Sequence, residues 1–398
     1  MVNLELSPEL RRYERELREW SVGMVRPHAR KADTDHEPPA NWKEIIDSCP
    51  VPLSKNTAPA GAADHPEDLP TFPDGELMRG LVQYEMLNYG DIWAMHCMGG
   101  GIAHIVVRLL GTEEQSKRWY EPIISGGGTT GFALTEPQFG SDTSMIQTRA
   151  VRDGDTWVLK GQKIFCSHGA SADFVVAFAT TDPARGAAAS EAFVVERGTP
   201  GFEIIRANED KLGLRSWETS QLGFDDCRIP LENRLGYVPG ADDTAGGGRL
   251  GALSVLNNNR PNVGSMAIGI AQAALDVTVE VLREQRHGYR PHRWSAIQDD
   301  LDAMSAALER GRRMCRRAQW MRGQGLPNRL EASAAKAFSP DTAERVVRRC
   351  MQILGPDGAS TDLLLEKWYR DLKILDIFEG TGQIQRMVVG KELAKQAG

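Results

Sequence analysis

Glu379, near the end of the chain, is the residue whose surroundings in the sequence best suit base chemistry. It follows a mainly apolar run at 374–378 and precedes Gly380. A carboxylate among apolar side chains loses hydration, which raises its pKa and makes it a better base near neutral pH. The glycine lets the backbone turn sharply or approach a ligand closely. On local chemistry alone, an exposed glutamate at a helix start, with Thr381 and Gln383 as turn residues, explains the same stretch equally well.

A second stretch with ligand-binding chemistry runs from Gly131 to Asp142. It begins with apolar residues and continues as a polar turn that contains Thr135 and Ser141. Hydroxyls and free backbone amides in such a turn are donors suited to an electron-rich ring edge or a pyrophosphate. Taken alone, the stretch is also compatible with a simple capped turn.

The overall composition argues against several classes of protein. The chain has 398 residues and a formal net charge of -7. This length accommodates two or three domains. The acidic balance argues against a nucleic-acid-binding protein, and we expect no nucleic-acid partner.

The cysteines, the histidines and the amino terminus give further expectations. The six cysteines are far apart and form no C-x-x-C pair, and the eight histidines show no metal-ligand spacing. We therefore expect reduced thiols and no metal site. The amino terminus lacks the features of a signal peptide, and no stretch approaches the ~18 apolar residues of a membrane span. These features favour a cytoplasmic protein with no membrane partner.

Apolar residues recur at helical spacing before residue 128 and again after residue 246, which predicts two helical regions. In the first region one face of each predicted helix is apolar: Leu6, Leu10, Tyr13 and Leu17, then Leu77, Leu81, Tyr84 and Leu87. Six prolines between positions 50 and 75 predict a long loop.

The middle of the chain has the pattern of short strands. The pair Asp153-Gly154 between two apolar runs predicts a hairpin. The predicted strands lie at 148–151, 157–159, 174–178, 192–195, 201–205 and 221–224. Several short strands separated by turns indicate a small antiparallel sheet domain or barrel. The predicted class is therefore α+β, mostly α, with four or so long helices after the sheet.

Several segments, in collinear order, resemble the acyl-CoA dehydrogenase family. The stretch 131–142 resembles the first signature of that family, and the decamer 377–386 resembles the second. Further similarities lie at 161–169, 211–215, 224–230, 259–276 and 352–355. Because the resemblance spans most of the chain from about residue 76 onward, the chain is identified as a member of the family.

The resemblance implies both a fold and an activity. It implies an N-terminal helical domain at 1–127, a middle antiparallel β domain at 128–245 and a C-terminal four-helix bundle at 246–398. Members bind FAD and oxidise the Cα–Cβ bond of an acyl-CoA thioester. They pass electrons to an electron-transfer flavoprotein and form homodimers or homotetramers.

The resemblance also assigns roles to individual residues. Glu379 is the base that removes the α-proton, and its backbone N–H helps to polarise the thioester carbonyl. Some members carry the base at the position of Asn259, which cannot serve here. The residues implied in cofactor binding are Phe132, Leu134, Thr135, Ser141, Phe165, Ser167, Arg286, Gln298, Gln352, Gly355, Thr381 and Gln383. Those implied in substrate binding are Ser141, Asn257, Arg260 and Gly380, although a structural salt bridge is an alternative for Arg260.

Three departures from the family pattern leave alternatives open. His287 and Glu284 stand where the family usually has Phe and Arg, in a segment that contacts the FAD diphosphate across the dimer. Pro356 follows Gly355, and the loop at 50–75 lacks the usual acidic-aromatic-Gly-Gly turn. These departures suggest a specialised substrate or one subunit of a hetero-oligomer. The alternative functions are a flavin-dependent oxidase or monooxygenase on the same fold, and a partner-dependent subunit.

Overall fold

The computed structural model describes residues 4–53, 75–98, 101–126, 128–240 and 248–397. Most of the predicted loop at 50–75 and the predicted domain boundary at 245/246 lie outside these residues. Contacts between Cα atoms divide the chain into two compact units. The first unit comprises Met1–Cys97, Lys211–Ser216 and Asn257–Gly398, and the second comprises Met98–Asp210 and Trp217–Leu256. The three-domain division stays a prediction.

Helices precede and follow the sheet along the chain, as the periodicity predicts. Those before the sheet are α1 Pro8–Trp20, α2 Ala29–Asp35, α3 Trp42–Asp47, α4 Glu76–Gly90, α5 Ala103–Leu110, α6 Glu113–Gln115 and α7 Glu121–Gly126. Those after it are α8 Gly248–Gln285, α9 Pro291–Gly323, α10 Arg329–Leu354, α11 Pro356–Ala359, α12 Leu365–Ile377 and α13 Gly382–Ala397.

The strands form one sheet in the second unit. They are β1 Thr130–Ala133, β2 Arg149–Asp153, β3 Thr156–Ser167, β4 Phe174–Thr180, β5 Ser190–Glu196, β6 Phe202–Arg206 and β7 Thr219–Pro230. The order is β1-β4-β2-β3-β7-β6, and β5 pairs with β4. The predicted hairpin at Asp153-Gly154 joins β2 to β3. Most pairs are antiparallel as predicted, but β1 and β2 run parallel to β4, which the strand spacing did not indicate.

The continuous apolar sequence of β4 follows from its burial on both faces. Phe174, Val176 and Phe178 face one core cluster, which includes residues of α5 and α7. Val175 and Ala177 face the other cluster, with Trp157 and Phe193. Alternate strand residues point to opposite faces, so a strand covered on both sides needs apolar residues at every position.

Helix α4 of the first unit departs from the prediction of a single apolar face. Leu77 and Leu81 are buried as expected, but every residue from Leu77 to Gly90 is buried. The helix packs against α1 and α9, so its polar side chains also lie inside and need partners. Glu85 accordingly accepts a hydrogen bond from Arg312 of α9 at 2.7 Å.

The helical stretch Val255–Gly288, most of which is α8, is long and apolar enough to cross a membrane by length and composition alone. The apolar window is 67% buried inside the protein, however, which is what a core helix of a helical bundle shows. The absence of a membrane partner stays a prediction.

Candidate active site

Glu379 of the first unit lies in the short turn that joins α12 to α13. Its φ is +56° and that of Gly380 is +91°. A non-glycine residue in the left-handed region costs of order 1–3 kcal/mol and persists only where the surroundings impose it. A Cβ at Gly380 would lie 2.4 Å from Gln385 Nε2, so a side chain at this position would displace Gln385.

Two buried side chains impose the conformation of this turn. Lys336 of α10 donates from Nζ to the carbonyl oxygens of Asp376 and Gly380, both at 2.8 Å. Gln385 of α13 donates from Nε2 to the carbonyl oxygens of Gly380 at 3.1 Å and Glu379 at 3.3 Å. Burial lowers the pKa of Lys336 to about 8. Neither residue is among those predicted from the sequence, although a lone lysine among the small residues at 332–337 is a usable signal.

The two oxygens of the Glu379 carboxylate have different surroundings. Oε1 accepts a hydrogen bond from Asn259 Nδ2 at 2.5 Å. Oε2 is buried and has no hydrogen-bond partner among the described residues. Burial raises the pKa of Glu379 to about 7, against the opposing effects of Asn259, Lys336 and Arg260. This direction is the one that the flanking apolar run predicts, although Ile377 of that run is itself 47% exposed.

Asn257 and Arg260 lie on α8, on the same helix as Asn259. Arg260 is buried and donates to Asn257 Oδ1 at 3.1 Å and to Ser333 Oγ at 3.2 Å. Within the described part of the chain it forms no ion pair within 4.0 Å, so the structure does not contain the salt bridge considered as an alternative. Arg260 Nε is buried and has no hydrogen-bond partner among the described residues, so this guanidinium is an incompletely paired cation. Burial lowers the pKa of Arg260 to about 10.

The candidate cofactor residues of the second unit gather around the end of β1 and the end of β3. The pairing of β3 with β7 shifts register between Lys163 and Cys166, which is a bulge. In this bulge Phe165 has a φ of +57° and its side chain is 59% exposed. Bulges of this kind re-aim a side chain and are frequent beside active sites. The Ile164 N–H donates to the Thr135 carbonyl at 2.9 Å and thereby joins the two ends.

Three of the candidate cofactor residues carry side-chain hydroxyl groups. The side chains of Thr135, Ser141 and Ser167 form no hydrogen bond with any residue that the structure describes. Phe132 is half-buried, with its ring centroid 5.1 Å from that of Phe178, and Leu134 is buried. An exposed aromatic ring and unused hydroxyls are features that can bind a flat polar ring system.

A buried ion pair, which the sequence did not predict, supports this region. Lys163 donates to the Leu134 carbonyl at 3.0 Å and to Glu136 Oε1 at 2.7 Å. Glu136 also accepts from the backbone amides of Gln147 at 2.6 Å and Thr148 at 2.9 Å. Burial lowers the pKa of Lys163 to about 8. Burial also disfavours charged Glu136, but Lys163 and the amides bring the pKa of this carboxyl below its ordinary value.

The other candidate cofactor residues belong to the first unit and are spread over several helix ends. Thr381 and Gln383 adjoin the Glu379 turn, and Thr381 Oγ1 accepts from the Ile384 N–H at 3.3 Å. Four residues lie elsewhere and are exposed: Arg286, Gln298, Gln352 and Gly355. Among the described residues no hydrogen bond or ion pair joins these four to Glu379 or Arg260. Nor does this part of the chain hold a group of three or more potential metal ligands.

Comparison with known proteins identifies the family of this chain. The family model described as acyl-CoA dehydrogenase, middle domain, matches residues 131–227. The model described as acyl-CoA dehydrogenase, C-terminal domain, matches residues 246–394.

Individual relatives extend the match to almost the whole chain. The short-chain specific acyl-CoA dehydrogenase of Clostridium acetobutylicum is 30% identical over 386 residues, which cover 95% of this chain and 96% of that protein. The acryloyl-CoA reductase (NADH) of Anaerotignum propionicum is 36% identical over 298 residues, 74% of each chain. The structure of butyryl-CoA dehydrogenase from Megasphaera elsdenii is similar at a TM-score of 0.85 and 29% identity, covering 99% of this chain and 100% of that one. The predicted fold class is thereby confirmed. The chain therefore belongs to the acyl-CoA dehydrogenase family, and it is an oxidoreductase of a flavin-dependent family.

Proposed function

We propose that this chain oxidises an acyl-CoA thioester to its α,β-unsaturated product, with Glu379 as the base that removes the α-proton. The observation that carries the proposal is the asymmetric carboxylate of Glu379. Oε1 is held by Asn259, and buried Oε2 has no partner among the described residues. A general base needs one such free oxygen, and its pKa is best placed near the working pH. The pKa of Glu379, raised to about 7 by burial, meets that requirement.

The backbone around Glu379 supplies a second element of the mechanism. Within the described residues the Glu379 N–H donates no hydrogen bond. A fixed, unused N–H can stabilise the negative charge that develops on a thioester carbonyl when the α-proton leaves. Lys336 and Gln385 hold the carbonyls of this turn, so the direction of the N–H is set before a substrate binds. Pre-set donors of this kind need no reorganisation during the reaction.

The residues of the second unit fit the proposed cofactor, FAD. A flavin has an aromatic ring system with a polar edge, and FAD adds a pyrophosphate. The exposed ring of Phe165 suits the ring system, and the free hydroxyls of Thr135, Ser141 and Ser167 suit the polar groups. When bound, FAD supplies the acceptor for the hydride from the β-carbon, which no side chain can provide. We propose that these four residues, with Phe132 and Leu134, hold the flavin, and that Arg286, Gln298, Gln352, Gly355, Thr381 and Gln383 contribute further contacts.

Family membership guides the proposals on substrate, partners and location. We propose a short acyl chain, because relatives are named short-chain specific and butyryl-CoA dehydrogenases. We propose that Asn257, Arg260 and Gly380 contact the thioester, and that an electron-transfer flavoprotein takes the electrons. We further propose a homodimer or homotetramer in the cytoplasm. The free thiols of Cys49, Cys166, Cys227, Cys315 and Cys350 are consistent with a reducing compartment.

Purified protein provides the direct test of this function. We expect it to carry FAD, and we expect short acyl-CoAs to bleach the flavin absorbance and to reduce an artificial electron acceptor. Because one relative is named a reductase, reduction of the α,β-unsaturated thioester is assayed as well. Rapid reoxidation of the reduced flavin by oxygen would point instead to an oxidase or monooxygenase. Colourless protein that binds flavin only with a second chain would indicate a partner-dependent subunit.

The pH dependence of turnover gives a more specific expectation. Glu379 accepts a proton only when it is ionised, so activity requires a pH above its pKa. We expect kcat/KM to fall about tenfold for each pH unit below a midpoint of about 7, and to level off above it. Steady-state rates between pH 5.5 and 8.5, in buffers of constant ionic strength, measure this fall of kcat/KM on the acid side of the profile. A profile that is flat across pH 7 would argue against a base with this raised pKa.

A further inference from the structure

A row of three side-chain amides ends on the candidate base. Gln319 Nε2 donates to Asn262 Oδ1 at 2.8 Å. Asn262 Nδ2 donates to Asn259 Oδ1 at 2.9 Å. Asn259 Nδ2 then donates to Glu379 Oε1 at 2.5 Å. We call Gln319, Asn262 and Asn259 the amide row.

The two outer members of the amide row lie deep inside the first unit. Asn262 and Gln319 are each 2% exposed. Asn259 and Asn262 are three residues apart on α8 and therefore share one face of it, while Gln319 comes from α9. Burying amides in this way is unfavourable unless their polar atoms are hydrogen-bonded. The role of Glu379 as base does not by itself require either residue.

The chemistry of an amide gives the row a direction. Each amide has one oxygen that accepts and one nitrogen that donates, whereas an ionised carboxylate only accepts. Asn259 must therefore present Nδ2 to Glu379, which leaves its Oδ1 to accept from Asn262. Asn262 must then accept from Gln319. Turning over a single amide in the row would bring two acceptors or two donors face to face.

Charged groups also face Glu379, but they do not select one of its oxygens by a hydrogen bond. They are Arg260 on α8 and Lys336 on α10, both of which favour the ionised carboxylate. Lys336 also faces Asp376 of α12, and it donates hydrogen bonds to the backbone carbonyls of Asp376 and Gly380. Among the described residues, Asn259 is the only side chain that donates a hydrogen bond to the Glu379 carboxylate.

We propose that Asn262 and Gln319 are positioning residues that, through Asn259, hold Oε1 of Glu379 and leave Oε2 as the oxygen that takes the proton. The proposal rests on the proposed function of Glu379 as the base. Gln319 orients Asn262, and Asn262 supplies the donor that fixes the orientation of Asn259, so loss of either side chain frees the Asn259 amide. It then turns over for part of the time and presents an oxygen to the carboxylate, which disfavours the ionised form.

Two near-isosteric variants, Asn262→Leu and Gln319→Met, test the proposal, with Gln324→Met as the matched control at the exposed residue that follows α9. The primary readout is the infrared titration of the protonated Glu379 carboxyl, identified by the band that disappears in Glu379→Gln. A hydrogen bond to a charged group is worth about one to two pH units, and an indirect loss is smaller. We expect the midpoint to rise by about one unit in Asn262→Leu and by about half a unit in Gln319→Met. Gln324→Met is expected to leave it unchanged.

The acid limb of kcat/KM is the second readout and is expected to move by the same amount, with KM changed less than about twofold. A merely structural role would lower the melting temperature without moving either midpoint, and this result would overturn the proposal. If Asn262→Leu does not fold, Gln319→Met decides, because methionine matches the length and shape of glutamine. If no acyl-CoA is oxidised but the infrared midpoint still moves, the proposed function fails and the effect of the amide row on Glu379 stands.

Discussion

Replacing Glu379 by glutamine is expected to lower kcat by about 10²- to 10⁴-fold, the usual contribution of a positioned general base. Glutamine keeps the size of the side chain but cannot take up the α-proton. Asn259 Nδ2 can still donate to the amide oxygen, so the turn that Lys336 and Gln385 hold is expected to persist. We therefore expect the flavin content and the melting temperature to match those of the wild type. Stopped-flow bleaching of the flavin by an acyl-CoA measures the chemical step directly.

The control for this variant is Glu392→Gln on α13. Glu392 pairs with Arg329 and Lys395 near the surface, and its loss removes the same charge from the same helical region. Exposed ion pairs contribute at most about 1 kcal/mol, so this variant is expected to keep wild-type turnover. Full activity of Glu379→Gln would remove Glu379 as the base. Loss of flavin from that variant would instead indicate a structural role for the carboxylate.

Local signals in the sequence were enough to locate the candidate base and most of the sheet. The glycine after Glu379 predicted a sharp turn, and both residues have positive φ. The apolar runs at 174–178 and 192–195 predicted buried strands, which are β4 and β5. These features depend on residues that are neighbours in the chain, so a short window of sequence contains them.

The partners of the site residues were not predictable in the same way, because they come from distant segments. The sequence marks Asn259 only as a position where some family members carry the base, yet it donates to Glu379 across 120 residues. Lys336 reaches the Glu379 turn from α10, and Lys163 reaches Glu136 from β3. Each looks like an ordinary polar residue in its own helix or strand. Its role becomes visible only when tertiary packing removes water from around it.

A buried ion cluster on α12 suggests the second large effect, this time on stability. Lys367 donates to Asp91 Oδ2 at 2.7 Å and to Asp371 Oδ2 at 2.6 Å, and all three side chains are at most 3% exposed. The other oxygen of Asp371 accepts from the Leu214 N–H at 2.7 Å, which joins the segment Lys211–Ser216 to this cluster. Burial raises the pKa of Asp371, whereas the two carboxylates outweigh burial and raise the pKa of Lys367.

Replacing Lys367 by methionine is expected to destabilise the protein by about 3–5 kcal/mol at pH 7, because two buried carboxylates lose their common cation. The matched control is Lys373→Met on the same helix, where the lysine is about half exposed and pairs with Glu344 at 3.3 Å. We expect that control to cost less than about 1 kcal/mol. Urea denaturation at several pH values measures both differences.

The pH dependence separates loss of charge compensation from loss of packing. Methionine fills much of the volume of the lysine stem, so the deficit in Lys367→Met comes mainly from the unpaired charges of Asp91 and Asp371. Lowering the pH protonates the Asp371 carboxyl in the folded variant before it does so in the unfolded chain, because burial raises the pKa of Asp371. The folded variant then binds more protons than the unfolded one, so its deficit relative to the wild type shrinks as the pH falls from 7 towards 5. A deficit that stays constant over this range would mean that lost packing, and not uncompensated charge, destabilises the variant.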